Sequence, residues 1–294
     1  MIRLDDVPVP TPGPGEVLIQ VAATSFNPSE VGLRRGLLRA VFALDLPYTL
    51  GVDVAGTVVA AGPEVATHKV GDRVVGRVDS GGTAAEYVVA DADAVVPAPR
   101  TVPLAHAAAL PIAGLTAWQA VYEHADLHPG QRVLVNGAGG GVGGFTVQLA
   151  GRAGARVIAT ASPRSADTVR QLGADQVVDY TGTALDRALT GPVDVLLNLV
   201  PIDRTRAAEL LRLVRPGGRL VSVTVPVEAP AEGLVTTTHL VTRNEPAQLT
   251  ELVKLVDSGE LRLDIAASRP LADLAGVHRD AEAGRMRGKT ILVP

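Results

Sequence analysis

The chain has 294 residues, of which 47% are hydrophobic, so it is long enough for two domains with sizeable buried cores. Its formal net charge is −4, and its positive and negative residues are interspersed, which argues against nucleic acid as a partner. There is no cysteine, which excludes disulfides, a thiolate nucleophile and cysteine-ligated metal centres.

Residues 1–100 are rich in Val, Gly and Pro and predict a many-stranded β domain. The short β-branched runs EVLIQVAAT, AGTVVAAG, GDRVVGRV and AEYVVAD are separated by turn signals at residues 12–15 and 61–63. Strands this closely spaced favour a barrel-like fold. No apolar run is long enough to cross a membrane and no export signal opens the chain, so we expect a cytoplasmic protein with no membrane partner.

From about residue 101 the sequence becomes Ala-rich and then alternates strands with helices. The nearly continuous apolar runs RVLVNG, RVIATAS, QVVDY, DVLLNLV and GRLVSVTV are separated by helical patterns. Strands buried on both faces and joined by helices predict a parallel, doubly wound sheet. After about residue 259, a helix around residues 271–283 and a closing strand, KTILV, are predicted.

The segment VLVNGAGGGVGGFTVQLA, residues 133–150, predicts a strand, a glycine turn and a helix. Ala138, Gly140 and Gly143 fall at the positions of a G-x-G-x-x-G fingerprint, with alanine at the first. The middle glycine lets the backbone approach a pyrophosphate, and the last lets helix and strand pack closely. Because the helix N-terminus also offers free N–H groups, we expect Ala138, Gly140, Gly141 and Val142 to bind a dinucleotide.

Long motifs follow one another along nearly the whole chain: PTPGPGEVLIQVAATSFNPSEVGLRRG, LGVDVAGTVVAAGPEVATHKVGDRVVG, GGTAAEYVVA, AALPIAGLTAWQA, LGADQVVDY, RPGGRLVSV and EAGRMRGKTILV. In this order they resemble the zinc-independent quinone oxidoreductase branch of the medium-chain dehydrogenase/reductase superfamily. The resemblance implies an α/β protein with a GroES-like β-barrel catalytic domain at residues 1–100 and 260–294. It places a Rossmann dinucleotide-binding domain at residues 101–259. Family members usually have a further strand and loop before the segment that matches residues 2–4.

The resemblance also implies that no metal is bound. Zinc-dependent relatives carry a Cys in the segment matching residues 25–30, and a His-Glu pair where this chain has Val52 and Asp53. With valine in place of the imidazole and no thiolate, a catalytic zinc cannot assemble in the usual way. His124 and His128 have the i, i+4 spacing of metal ligands, but the proline that follows favours a helix C-terminus there.

The end of the RVIATAS strand favours NADPH as the cofactor. An NAD-specific site needs an acid roughly 20 residues past the glycine turn. This chain has Ala161 at the position of that acid in NAD-dependent relatives, followed by Ser162 and Arg164. A hydroxyl and a guanidinium can bind a 2′-phosphate that a carboxylate would repel. The alternative is that Ser162 caps a helix and Arg164 is a solvated charge.

The resemblance implies further cofactor contacts, each with a structural alternative. Tyr180 either lies by the adenosine or caps a strand. Thr116 either lies near the nicotinamide and phosphates or holds a helix turn. Lys289 is either a phosphate ligand or a surface cation. Four residues either end the strands that face the nicotinamide or belong to the core: Leu199, Val200, Val223 and Val225.

Without metal or thiol, the predicted chemistry is hydride transfer to a polarised acceptor, such as a quinone or an α,β-unsaturated carbonyl. Asn27 matches a family asparagine in the substrate pocket, and its amide could donate to the acceptor oxygen; alternatively it is a turn residue before proline. Many enoyl reductases of the superfamily have a tyrosine where this chain has Val31 and Gly32. Tyr48 is a substitute for it in the pocket, or else a packing residue.

Three functions remain open at this point. The first is an NADPH-dependent quinone or enone reductase. The second is an enoyl-thioester reductase for a carrier-bound chain, with Arg34, Arg35 and Arg39 as a basic entrance. The third is a cofactor-binding sensor or structural protein without turnover. Because the family commonly dimerises through the edge of its nucleotide-binding sheet, we expect a homodimer, with VTTTHLVTR (residues 235–243) as the edge strand.

Overall fold

The computed structural model describes residues 1–38, 45–229 and 234–294. Its strands are β1 (Glu16–Ser25), β2 (Asp53–Ala61), β3 (Arg73–Arg77), β4 (Tyr87–Asp91), β5 (Val95–Pro97), β6 (Arg132–Asn136), β7 (Arg156–Ala161), β8 (Gln176–Asp179), β9 (Val193–Asn198), β10 (Val214–Ser222), β11 (Val235–His239), β12 (Ile265–Pro270) and β13 (Lys289–Val293). Its α-helices are α1 (Ser29–Arg34), α2 (Leu104–Ala107), α3 (Pro111–Trp118), α4 (Gly141–Arg152), α5 (Pro163–Gln171), α6 (Leu185–Ala188), α7 (Arg204–Leu211), α8 (Pro246–Asp257) and α9 (Leu274–Glu282).

The described chain divides into two compact units. The first unit contains Met1–Ile112 and Asn244–Pro294, and the second contains Ala113–Arg243. The sequence predicts these boundaries near residues 100 and 259, so the continuous inner unit is shorter at both ends than the predicted Rossmann domain.

The first unit is built on a seven-stranded sheet in the order β12-β13-β1-β2-β3-β5, with β4 also paired to β1. Alternate side chains of β1 point to one face, where Val17, Ile19 and Val21 enter a core shared with β2 and β3. The other end of β1 pairs antiparallel with β13, with Ser25 opposite Ile291. This pairing brings the C-terminal strand beside the loop that leads from β1 to α1.

The second unit contains a six-stranded parallel sheet in the order β11-β10-β9-β6-β7-β8. Numbered along this unit, the order is 3-2-1-4-5-6, which is typical of dinucleotide-binding sheets. The predicted parallel, doubly wound sheet is therefore confirmed. The strand order reverses between β6 and β9, and their carboxyl ends meet at Asn136 and Asn198.

Some elements differ from the sequence-based expectation. The Ala-rich stretch forms α2, α3 and one π-helical turn, Gln119–His124, because Pro111 begins a new helix. The predicted final helix is a 3-10 turn, Leu271–Asp273, followed by α9. Residues 1–13 contain no helix or strand. In the ranges described, no helix combines the length and apolar character needed to cross a membrane.

Candidate active site

The glycine turn joins β6 to α4 and opens on Gly137, whose φ of +100° is readily adopted only by glycine. The fingerprint assigns its first position to Ala138, so the residue that makes the turn is one earlier than predicted. A Cβ at Gly143 would lie 2.5 Å from Ala138 Cα, which confirms that this glycine allows close packing of helix and turn. The Asn-Gly pair at residues 136–137 is itself a turn signal that could have identified Gly137.

The middle glycine faces open space. A Cβ at Gly140 would meet only the carbonyl oxygen of Gly137, at 3.6 Å, and Gly140 is exposed. Gly140 is the N-cap of α4 and has no side chain to cap the helix, so the N–H groups of Gly141 and Val142 have no partner within the helix. This exposed backbone cradle fits a pyrophosphate.

The carboxyl end of β7 has no acidic side chain. Ala161 is fully buried, and Ser162 is the N-cap of α5 but makes no capping hydrogen bond through its hydroxyl. Arg164 is exposed in the first turn of the same helix. Ser162 is therefore at the predicted cap position, while its hydroxyl is not used for capping.

The residues predicted to face the nicotinamide do lie together at the carboxyl ends of strands. Leu199 and Val200 follow β9, and a Cβ at Gly137 would lie 2.6 Å from Val200 Cγ1. Val223 and Val225 follow β10, where the Val223 N–H donates to Asn198 O at 3.0 Å. All four are half-buried rather than fully enclosed core residues.

Two other predicted cofactor residues occupy different positions in this unit. Tyr180 directly follows β8 and is 54% exposed, so its ring is accessible to a ligand. Thr116 lies on α3 and is 4% exposed, and its hydroxyl is 2.6 Å from that of Thr242. The contacts of Tyr180 and Thr116 with the cofactor stay predictions.

In the first unit, Lys289 lies at the centre of a buried polar cluster. Its ammonium donates to Phe26 O at 3.1 Å and to Asn27 Oδ1 at 3.0 Å, and lies 3.7 Å from Asp53 Oδ2. Lys289 is 4% exposed and Asp53 is 0% exposed. Burial lowers the pKa of Lys289, while Asp53 and Glu30 oppose that shift. The surface-cation alternative is therefore wrong, and the ammonium faces acceptors within this unit.

Asp53 connects the cluster to β1 and α3. Its Oδ2 accepts hydrogen bonds from Ser25 Oγ at 2.5 Å and from Asn27 Nδ2 at 2.8 Å, and its Oδ1 accepts from the Ile112 N–H at 2.9 Å. These charge-assisted bonds compensate for the removal of the carboxylate from water. The sequence pattern indicated Asp53 only as a departure from a zinc site, and missed this structural role.

Glu30 is a second buried carboxyl, 5% exposed, in the first turn of α1. Its Oε1 accepts from the Asn27 N–H at 3.0 Å. Burial raises the pKa of Glu30 from 4.5 to about 7; the backbone N–H of Asn27 opposes the shift, and the nearby charge of Asp53 adds to it. Such a carboxyl exchanges a proton near neutral pH, a property the sequence did not indicate.

These contacts change the predicted role of Asn27. Its Nδ2 donates to Asp53 Oδ2 and to Ser25 O, the latter at 3.3 Å, so both N–H groups have partners. Its Oδ1 accepts from Lys289. The amide thus has no N–H left for an acceptor oxygen, and Asn27 instead anchors the turn before α1.

Tyr48 has a different environment. It is half-buried, and its hydroxyl lies where a side chain at Gly81 would be, so that glycine makes room for it. Burial raises the pKa of Tyr48, and the charge of Glu30 adds to the shift. Within the ranges described, the hydroxyl has no hydrogen-bond partner and remains able to donate to a ligand.

No group of three or more possible metal ligands occurs among the residues that the structure describes. Val52 precedes the buried Asp53, whose carboxylate is occupied by Ser25, Asn27 and Lys289. His124 ends the π-helical turn, so His128 does not share a helix with it.

Comparison with known proteins gives a consistent result along the chain. A family model described as "Alcohol dehydrogenase GroES-like domain" matches residues 13–100, and one described as "Zinc-binding dehydrogenase" matches residues 172–292. Quinone-oxidoreductase QR1, chloroplastic, of Triphysaria versicolor is 34% identical, over 98% of this chain and 93% of its own. The quinone oxidoreductase of Coxiella burnetii has a similar structure, with a TM-score of 0.92 and 31% identity over 99% of this chain and 94% of its own.

A further solved structure, Escherichia coli quinone oxidoreductase complexed with NADPH, has a TM-score of 0.88 and 26% identity, over 99% of this chain and 95% of its own. The fold class predicted from the sequence, a GroES-like domain with a Rossmann parallel sheet, is confirmed. The fold defines an oxidoreductase of the medium-chain dehydrogenase/reductase superfamily. Within that superfamily, the chain belongs to the quinone oxidoreductase branch.

Proposed function

We propose that this chain reduces a quinone or an α,β-unsaturated carbonyl with NADPH as the hydride donor and without a catalytic zinc. The observation that carries the proposal is the open backbone cradle at Gly140, which precedes the N–H groups of α4 that have no partner within the helix and lies at the carboxyl edge of the parallel sheet. A relative in the same branch has been solved in complex with NADPH.

The choice of NADPH over NADH rests on the end of β7. An aspartate or glutamate there would bind a ribose 2′-hydroxyl and repel a 2′-phosphate. At that position this chain instead has Ala161, Ser162 and the exposed Arg164, and the hydroxyl of Ser162 makes no capping hydrogen bond. A guanidinium and a hydroxyl are suitable donors for a phosphate.

On the acceptor side, we propose Tyr48 as a donor for the acceptor oxygen. When bound, the nicotinamide supplies the hydride. The Tyr48 hydroxyl would donate a hydrogen bond to the oxygen on which negative charge develops, and its proton can neutralise that oxygen. Because Asn27 has no free N–H, its role is to hold the turn that leads into α1.

Zinc independence is supported by the occupancy of Asp53. The positive charge that faces this carboxylate is the ammonium of Lys289, which belongs to the chain itself. The chain also has no cysteine to serve as a thiolate ligand. The electrostatic requirement of the buried carboxylate is thus met by a side chain.

The test is oxidation of NADPH and of NADH, followed by absorbance, with a panel of small quinones, enones and enoyl thioesters. We expect turnover of a quinone or an enone, with NADPH preferred. Tight NADPH binding with no turnover of any acceptor would favour a binding protein instead. Failure to bind either dinucleotide would refute the proposal as a whole.

Turnover of enoyl thioesters alone would favour the carrier-bound substrate. A basic entrance would favour that alternative; of its three candidate arginines, Arg34 is paired with Glu282 at 2.6 Å, and Arg39 lies outside the described residues. Arg35 is exposed.

Two other expectations form part of the proposal. Within the described part of the chain, β11 is the last strand at one edge of the parallel sheet, and we propose that a second subunit pairs at this edge. The predicted strand extends to residue 243, whereas β11 ends at His239. The homodimer and the cytoplasmic location stay predictions.

A further inference from the structure

A line of hydrogen bonds crosses the carboxyl edge of the parallel sheet. It begins at the Gly137 N–H, which donates to Thr160 Oγ1 at 2.8 Å, and Thr160 Oγ1 donates to Asn136 Oδ1 at 3.1 Å. Asn136 Nδ2 then donates to Asn198 Oδ1 at 2.8 Å, and Asn198 Nδ2 donates to Val200 O at 2.9 Å. We call Thr160, Asn136 and Asn198 the edge relay.

The direction of the edge relay is fixed at both ends by the backbone. The Gly137 N–H can only donate, so the Thr160 hydroxyl accepts there, and its own hydrogen is directed to Asn136 Oδ1. The oxygen of the Asn136 amide therefore faces Thr160 and its nitrogen faces Asn198, whose nitrogen in turn faces Val200. The Val200 carbonyl can only accept, so all the hydrogen bonds along the line are donated in the same direction, from Gly137 towards Val200.

The edge relay is buried and lies at the point where the strand order reverses. Thr160 is 1% exposed, Asn136 is 6% exposed and Asn198 is 0% exposed. They come from the ends of β7, β6 and β9, which are adjacent in the sheet. Buried amides of this kind are costly unless every donor and acceptor is matched, so the network holds one arrangement of its members.

Its two ends are parts of the candidate cofactor site. Gly137 begins the glycine turn, and Val200 lies just after the end of β9. The side chain of Val200 packs against Gly137, at 2.6 Å from the place of a Cβ, and the Leu199 N–H donates to Asn136 O at 2.9 Å. The relay therefore joins the pyrophosphate cradle to the strand end predicted to face the nicotinamide.

We propose that Thr160, Asn136 and Asn198 are positioning residues for the dinucleotide: they hold the glycine turn and the Leu199–Val200 strand end at the spacing that the cofactor needs. The inference rests on the proposed function, since it names residues that prepare the same site. None of the three needs to touch the ligand. Their contribution is preorganisation, which lowers the ordering cost when the dinucleotide binds.

The first test is Thr160→Val, which keeps the shape of the side chain and removes the hydroxyl that joins Gly137 to Asn136. We expect the dissociation constant for NADPH, measured by fluorescence titration, to rise about tenfold, which corresponds to about 1.4 kcal/mol. Thr160→Ser retains the hydroxyl, and we expect it to restore binding to within about twofold of the wild type. Asn198→Asp cannot donate to Val200 O and should weaken binding as Thr160→Val does.

The matched control is Thr250→Val on α8, the same substitution in the first unit, where the lost hydroxyl donates to Pro246 O at 2.9 Å. We expect it to leave the NADPH dissociation constant unchanged. Thermal unfolding of each variant shows whether the fold is retained.

Three outcomes would overturn the inference. In the first, Thr160→Val binds NADPH as tightly as the wild type. In the second, Thr160→Ser is weakened as much as Thr160→Val. In the third, Thr250→Val weakens binding equally. If the wild type itself binds neither NADPH nor NADH, the proposed function fails, and that result is distinct from any of these.

Discussion

The Lys289 ammonium lies 3.7 Å from the Asp53 carboxylate, and both side chains are withdrawn from solvent. Removing one member of a buried pair leaves the other charge uncompensated, whereas an exposed pair contributes little. The pair is also the link between β13, the start of β2 and the turn before α1. Its loss should therefore affect the whole first unit.

Lys289→Met tests this pair. Methionine keeps most of the apolar stem but no charge, so Asp53 loses its counter-ion, and we expect the free energy of unfolding to fall by about 3–5 kcal/mol. The measurement is urea denaturation of the full chain. Lys254→Met is the control, because Lys254 forms an exposed pair with Glu251 at 2.6 Å and should change stability by less than about 0.5 kcal/mol. Equal losses in both variants would contradict the prediction.

Glu30→Gln should change how stability depends on pH. In the folded protein Glu30 keeps its proton up to about pH 7, while the unfolded chain releases it near 4.5. The native state therefore binds more protons between these values, and its stability falls as pH rises through that window. As the pH rises through this window, we expect the free energy of unfolding of the wild type to fall by up to about 3 kcal/mol relative to that of Glu30→Gln. A constant difference between the two proteins would show that Glu30 does not titrate in this way.

His278 should have the opposite pH dependence. It is 1% exposed, packs edge-on against Phe26 at 5.1 Å, and burial followed by the charge of Arg34 lowers its pKa from 6.5 to about 4. The unfolded state binds the extra proton between these values, so the wild type loses stability as pH falls through them. His278→Leu should remove up to about 3 kcal/mol of that loss. His128→Gln, at an exposed position, controls for the substitution of histidine, and an unchanged pH profile in His278→Leu would refute the assignment.

Three glycine-to-alanine variants separate cofactor binding from packing in α4. Gly140 faces open space with a φ of −92°, so Gly140→Ala should fold normally but weaken NADPH binding by roughly tenfold or more, because the methyl group enters the pyrophosphate cradle. Gly143→Ala should destabilise the protein, since its Cβ would lie 2.5 Å from Ala138 Cα. Gly151→Ala meets nothing within 4 Å and should stabilise the helix by about 0.5–1 kcal/mol. The checks are thermal unfolding and NADPH titration, and unweakened NADPH binding by Gly140→Ala would remove the cradle from the site.

Arg164→Ala tests the preference for NADPH. Loss of a charge-assisted bond to the 2′-phosphate should weaken NADPH binding by about 10- to 100-fold and leave NADH binding unchanged. Arg170→Ala, in the last turn of the same helix, is the matched control and should affect neither dinucleotide. Equal preference for NADPH in wild type and Arg164→Ala would refute the assignment of this residue.

The sequence predicted the parts of the molecule that depend on local pattern. Continuous apolar runs located β6, β7 and β9, and the glycine spacing located the turn, because both signals are contained in short segments. The position of the turn differs from the prediction by one residue, because the fingerprint aligns on Ala138 whereas the positive φ belongs to Gly137. The strand β12 was missed because IAASRP has little of the β-branched alternation that marks a strand.

The chemistry of the first unit was harder to predict, because its contacts are distant in sequence. Lys289 and Phe26 are 263 positions apart, and no periodicity relates them. The alternatives considered for Lys289, a phosphate ligand or a surface cation, both assumed an accessible ammonium. Likewise, the side-chain amide of Asn27 forms its hydrogen bonds with partners from β1, β2 and β13, and only the assembled sheet brings these partners together.

The pairing of β1 with β13 has a consequence for how the protein is made. Ribosomes release the chain from its amino end, so the continuous segment Ala113–Arg243 emerges before the strand that completes the first unit. Until then, Asp53 and Glu30 have no ammonium beside them, and the edge of β1 that receives β13 is open. We therefore expect the inner unit to fold first on the ribosome, while the outer unit is completed only after the last strand has emerged.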